Sequence, residues 1–481
     1  MPPPKINLEN LVETLKNDTK VKVAGIDADG VLRGKIVAKS KFLSAATKGF
    51  GMSSALFGWD MHDETYTSAS SITSAYDGYG DFIAIPDLSS FRRTSWEDDM
   101  PMVLLDFHGN DGKRVPACPR GVLKSVLARL EEKGVQAHAG GECRNPEELP
   151  HTDMSVCLDA VELEFFNYVT PPTEGVPDST PARPGHLATF LENNPPSKLR
   201  GLTDGMFGYS VTRPTMNKDY FHAIYDQSIA FNCPLEGWHT ESGPGTFEAL
   251  IKHLTKSLGA LHGITPNFMA KPSTHLPGNS GHIHLSLSPA PSDGTPPRNL
   301  FARDPPAHSA AAAPHLSDLG RHFLAGLLAA LPSIMPLLAP TVNSYKRLVP
   351  DFWAPTRASH GLEDRRAAIR VVASDPANTR FEVRVPGADL HPHYALAALV
   401  GAGWRGVEKG LELEEAEGGE GEALPATLEE ATRAFGARGS VAREVLGDGF
   451  VDFFAATREH EVRLSRQAVT DWEFRRYIEV V

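Results

Sequence analysis

Three short segments of this chain alternate polar and apolar residues so regularly that they must run extended. They are VELEFFNYV at 161–169, GHIHLSLS at 281–288 and RFEVRVPG at 380–387. Successive side chains of a strand point to opposite faces, so residues two apart share a surface. Glu162 and Glu164 share one in the first segment, and His282, His284 and Ser286 share one in the second. In the third, Arg380, Glu382 and Arg384 align. One such strand could simply face water. Three of them, carrying Glu-Glu, His-His and Glu between arginines, fit the inner wall of a polar cavity.

A chain of 481 residues exceeds one ordinary core, so two domains are expected. Its 41% hydrophobic and 22% charged content is that of a globular protein. A net charge of −13 argues against a nucleic-acid partner, because phosphate binding needs a concentrated basic surface. Cys118, Cys143, Cys157 and Cys233 form no CxxC pair, so neither a zinc site nor a disulfide framework is indicated, and a reducing interior fits. The N-terminus shows no basic-then-apolar leader. The most apolar run, FLAGLLAALPSIMPLLA at 323–339, is shorter than the roughly 20 residues a bilayer needs. Pro332 and Pro336 interrupt it, which predicts a buried helix followed by a loop. A cytoplasmic protein with no membrane partner is expected.

The front portion, residues 1–115, reads as a small sheet-rich domain. LENLVETL gathers Leu8, Leu11 and Leu15 on one side of a short helix. Residues 20–45 predict two strands joined at Asp29-Gly30, and MVLLDFH at 102–108 predicts another. A helix over 119–133, with Pro119 at its start and Gly134 as its stop, opens a second domain at 116–481. Residues 289–314 and the acidic, glycine-rich 410–425 read as loops.

Glu162, Glu164 and Glu382, together with Glu241 and Glu248 on either side of Ser-Gly-Pro-Gly, supply five carboxylates, and His282 adds an imidazole. Oxygen-rich sites with one nitrogen suit Mg²⁺ or Mn²⁺. Without cations, five clustered carboxylates would repel one another. Arg347, Arg365, Arg370, Arg380 and Arg384 complete the set, and guanidinium forks match phosphate and carboxylate oxygens. Metals facing arginines are what phosphoryl transfer from a nucleotide needs, yet no GxxxxGK[ST] loop occurs.

Taken together, ELEFF, HTESGPGTFE, FMAKP with GNSGHIHLSL, NSYKRLVP, APT…RRAAIRV and RFEVRVPGAD resemble the glutamine synthetase family, in that family's order and over nearly the whole chain. The resemblance implies an α+β architecture: a β-grasp-like N-terminal domain, then a catalytic domain with a curved antiparallel sheet flanked by helices. It implies a ring-shaped homo-oligomer whose active sites lie between subunits. It assigns Glu164, Glu241 and Glu248 to one metal, and Glu162, His282 and Glu382 to a second. Arg347 and Arg384 match positions that hold glutamate, and Arg365 and Arg370 those at the transferring phosphate. His284, Ser286 and Arg380 fall on the nucleotide side. The implied reaction uses ATP and Mg²⁺ or Mn²⁺ to convert glutamate to a γ-glutamyl phosphate, from which an amine displaces phosphate.

Two departures bear on the amine. Where ammonia-using members carry an aspartate in the first domain, GMSSALFGW places Met52 (or Ser53). Where they carry a flap glutamate, DFWAPT places Trp353. An apolar pair in place of two anions suits an organic amine. The alternatives are glutamine synthesis with ammonia and a catalytically silent scaffold of the same fold. Residues 141–160 also intervene where the family runs directly from HAG into its ExEFF motif, as a surface excursion or a retained intron. Only 13 residues, ALIKHLTKSLGAL, separate Glu248 from His262, enough for a helix of roughly 20 Å.

Overall fold

A computed structural model describes residues 6–66, 72–73, 78–139, 161–171, 186–203, 205–235, 237–241, 249–290, 298–303, 313–350, 353–413 and 421–480. The expectations for 141–160 and for Glu248 lie outside them, and those for the loops at 289–314 and 410–425 partly so.

The first sheet contains β1 (Lys20–Ile26), β2 (Leu32–Ala38), β3 (Phe50–Ser53), β4 (Asp81–Thr94) and β5 (Met100–His108), in the order β2-β1-β5-β4-β3. β1 runs parallel to β5, and the other neighbours are antiparallel. The β1–β2 turn forms where expected. The Asp27 carboxylate accepts from the amides of Asp29 and Val31 at 2.9 and 2.8 Å, and Gly30 takes φ +81°, which suits a residue without Cβ. Beyond β2 the chain departs from the expected strand and forms a helix at Lys39–Ala45. The N-terminal helix shrinks to Leu11–Thr14: Leu11 and Leu15 are buried, but Leu8 is exposed.

The second sheet gathers β6 (Val135–Ala139), β7 (Val161–Leu163), β10 (Gly281–Pro289), β11 (His360–Leu362), β12 (Ile369–Val372) and β13 (Arg380–Val383). Its order is β11-β12-β13-β10-β6, with β7 also pairing with β10, and it curls into a half-barrel backed by helices. The segment at 161–169 is not one strand. It breaks after Leu163, and β8 (Phe166–Val169) leaves to pair with β9 (Ile264–Asn267).

Alternation sorts the sheet's two faces. Ile283, Leu285, Phe381 and Val383 are at most 2% exposed, and Phe381 stacks on Phe301 at 4.4 Å with Phe323 beyond. Phe323 belongs to the helix Asp318–Leu338, which continues through Pro332 and Pro336 rather than stopping at either. This helix is long and apolar enough to cross a membrane, yet 67% of its most apolar stretch is buried inside the fold, as in a core helix. It crosses the helix Pro392–Lys409 at Gly326 and Gly406, where a Cβ on Gly406 would lie 2.1 Å from the His322 carbonyl oxygen.

Buried polar contacts tie the first sheet's turns to the C-terminal part of the chain. Arg458, on the helix Asp448–Gln467, pairs with Asp29 and donates to the Pro340 carbonyl at 2.8 Å. His460 and Asp60 lie 3.2 Å apart, and the His391 ring meets the Asp27 carbonyl at 3.1 Å.

Candidate active site

Strand register brings the predicted wall together. Across β10, His282 faces Glu162 of β7 and His284 faces Glu382 of β13; across β13, Glu382 faces Arg370 of β12. His282, Glu162 and Glu382 converge so that their ligating atoms lie within 4.8 Å of one another. His282 Nδ1 stands 3.5 Å from Glu162 Oε2 and 3.4 Å from Glu382 Oε1. That nitrogen is buried and has no hydrogen-bond partner among the described residues. An orphaned imidazole nitrogen aimed between two carboxylates fits a divalent cation, and the N,O,O donor set suits Mg²⁺ or Mn²⁺.

The electrostatics keep both acids ionised. Burial pushes the Glu162 carboxyl up, but the adjacent His282 and His284 imidazoles hold it well below the usual carboxylate range. Glu382 is also raised by burial, yet His282, Arg384, His284 and the hydrogen bond from Arg370 bring it down to about 2. Arg370 reaches Glu382 at 2.9 Å, and Arg384 pairs with the other oxygen of the same carboxylate.

The remaining predicted residues divide. Arg380 donates from Nε to His284 Nδ1 at 3.2 Å, and Ser286 is buried further along β10 on the same face. Arg384 donates from Nε to the Arg365 carbonyl at 3.0 Å. Arg347 is buried and donates to the carbonyls of Val385 and Arg384 at 2.8 and 3.1 Å. Burial lowers its pKa to about 10 against the attraction of Glu164. Glu164 accepts from the Ser280 amide at 2.7 Å. Glu241 lies 3.3 Å from His239 Nδ1, and His239 stacks on Tyr209 at 4.4 Å. Among the described residues, Glu164 and Glu241 join no three-ligand cluster, and Glu248 falls outside them. Trp353 is 69% exposed, and Met52 sits half-buried on β3, an edge strand of the first sheet.

Sequence reasoning missed Glu363, whose carboxylate takes the other edge of Arg370, with Nε to Oε2 at 3.0 Å. The signal was there in GLEDRR, where two acids precede two arginines.

Residues 116–477 match the glutamine synthetase catalytic domain. The type-1 glutamine synthetase 2 of Dictyostelium discoideum is 37% identical over 96% of this chain and 84% of its own length. The gamma-glutamylethanolamide synthetase of Streptomyces coelicolor is 32% identical, covering 98% of this chain and 95% of its own. A glutamate–isopropylamine ligase from a Pseudomonas species is 29% identical over 99% and 98%. Among solved structures, GmaS bound to ADP superposes with a TM-score of 0.73 at 24% identity, covering 98% of this chain and 99% of that one. This last likeness bears on the fold alone.

Proposed function

The chain belongs to the glutamine synthetase family of ATP-dependent C–N ligases, and on that premise we propose that it joins the γ-carboxyl of glutamate to an organic amine. The observation that carries the ligase chemistry is the Glu162–His282–Glu382 cluster with Arg370 and Arg384 on the same carboxylate.

A free carboxylate is a poor acylating agent, and phosphorylation turns it into one from which an amine can displace phosphate. Glu162, His282 and Glu382 would hold one divalent ion, and Glu164, Glu241 and Glu248 a second. Such ions neutralise phosphate oxygens when bound. Arg347 and Arg384 orient glutamate, Arg365 and Arg370 take up charge developing on the transferred phosphoryl group, and His284, Ser286 and Arg380 line the nucleotide side. The amine attacks the acyl carbon, loses a proton and expels inorganic phosphate.

The choice of an organic amine is supported by Met52 and Trp353 standing where ammonia-using members place anions. Similarity to two ligases named for ethanolamine and isopropylamine supports the same reading. Ammonia is the second reading, favoured by the 37% identity to a type-1 glutamine synthetase. We further propose a cytoplasmic ring-shaped homo-oligomer, with residues 1–115 of each subunit closing the site built from 116–481 of its neighbour.

The test supplies ATP, Mg²⁺ or Mn²⁺ and glutamate, then ammonium, ethanolamine, small alkylamines, polyamines or aromatic amines in turn. Phosphate release and the amide product are measured. Turnover with an organic amine well above that with ammonium is expected, and turnover with ammonium alone would overturn the choice of amine.

A further inference from the structure

Four consecutive residues after β11, Glu363 to Arg366, are all charged, and most of those charges are paired. Asp364 accepts from Arg366 at 2.9 and 3.0 Å, using the Arg366 side chain and amide. Glu363 takes Nε and Nη2 of Arg370 on one carboxylate oxygen. Arg365 lies between them, exposed, and among the described residues no carboxylate pairs with its guanidinium. The arrangement holds two arginines in place and leaves the third to an outside anion.

Glu363 also holds an unusual backbone, with φ +51°, in the left-handed region that residues with a Cβ seldom occupy. Its amide is fixed by the Val371 carbonyl at 3.0 Å, directly beside Arg370. Side-chain exposure drops from 41% at Glu363 to 17% at Arg370, so the contact closes over the guanidinium from the solvent side. Strain of this kind persists only where surrounding contacts fix it, and it gathers at functional sites.

We propose that Glu363 is a positioning residue for Arg370. It grips the Nε/Nη2 edge while Glu382 holds Nη1, which fixes the plane of the guanidinium. A guanidinium has five N–H donors, so two remain for phosphate oxygens once these three bonds are made. The role rests on reading Arg370 as a phosphate-facing group.

Mg·ATP binding, measured by calorimetry with thermal melts alongside, tests it in wild type, Glu363→Gln, Glu363→Gly, Arg370→Met and the Glu363→Gly/Arg370→Met double variant. Glycine accepts a positive φ, so Glu363→Gly should melt no lower than wild type. It should nevertheless bind nucleotide about tenfold more weakly, as expected when a charge-assisted contact loses its geometry. Glu363→Gln keeps an oxygen acceptor and should bind between the two. In the Arg370→Met background the glycine change should have no further effect, because the partner it positions is gone. Unchanged binding in Glu363→Gly, or an equal loss in both backgrounds, would overturn the role. A wild type that binds no Mg·ATP would instead overturn the ligase reading itself, and a strict preference for ammonia would leave this result standing.

Discussion

At the residue scale, what matters most is a buried nitrogen with no hydrogen-bond partner among the described residues. His282 Nδ1 is buried between two acids and too far from either for a good hydrogen bond, so removing the imidazole should cost metal affinity more than stability. For His282→Ala, Mn²⁺ titrated in by calorimetry should bind at least about tenfold more weakly, with the melting temperature changed little. Equal affinity would remove His282 from the ligand set. Glu162, His282 and Glu382 were legible in the sequence because a two-residue period fixes which side chains share a face. Periodicity did not reveal Glu363, whose contact depends on a single left-handed residue after β11; only the acid-acid-Arg-Arg run GLEDRR pointed to it. Nor did alternation foresee the break after Leu163, where the chain abandons one sheet for another.

At the scale of elements, the sheet's apolar face meets closely packed helices. Gly406 and Gly326 allow the helices Asp318–Leu338 and Pro392–Lys409 to touch backbone to backbone. Gly406→Ala would drive a methyl toward the His322 carbonyl and separate the pair. Overpacking of this kind costs about 1–3 kcal/mol and should lower the denaturation midpoint by the matching amount. The same helix shows what the sequence obscured. Pro332 and Pro336 predicted an end to it, but burial of most of its length, Pro336 included, keeps it helical through both. The helix at 119–133 fared better, since its proline start and glycine stop act locally: it spans Pro119–Glu131, and Gly134 takes φ +70°.

Across the whole molecule, charged and polar groups far apart in sequence tie the first sheet to the rest. Arg458 and Asp29 are 3% and 4% exposed, so truncating either would leave a buried charge unmatched. Arg458→Ala should destabilise by about 3–5 kcal/mol in chemical denaturation, whereas a simple surface pair would lose under about 1 kcal/mol. His391 makes the junction sensitive to acid. Burial lowers its pKa from 6.5 to about 4, against the attraction of the Asp27 carbonyl. Between pH 4 and 6.5 the neutral form predominates only in the folded state, so the penalty is absent above pH 6.5 and grows as the pH falls toward 4. The loss amounts to about 3 kcal/mol, and the slope of stability against pH should flatten in His391→Asn.

The Arg458–Asp29 contact also determines where this chain can be cut. A fragment starting near residue 116 would keep the last long helix but strand a cation against Phe454, whose ring lies 4.9 Å from the guanidinium carbon. Expression trials that treat residues 1–115 and 116–481 as separable modules should therefore yield aggregates. Deleting residues 1–115 should lower soluble yield relative to the full chain, because the buried Arg458 loses Asp29.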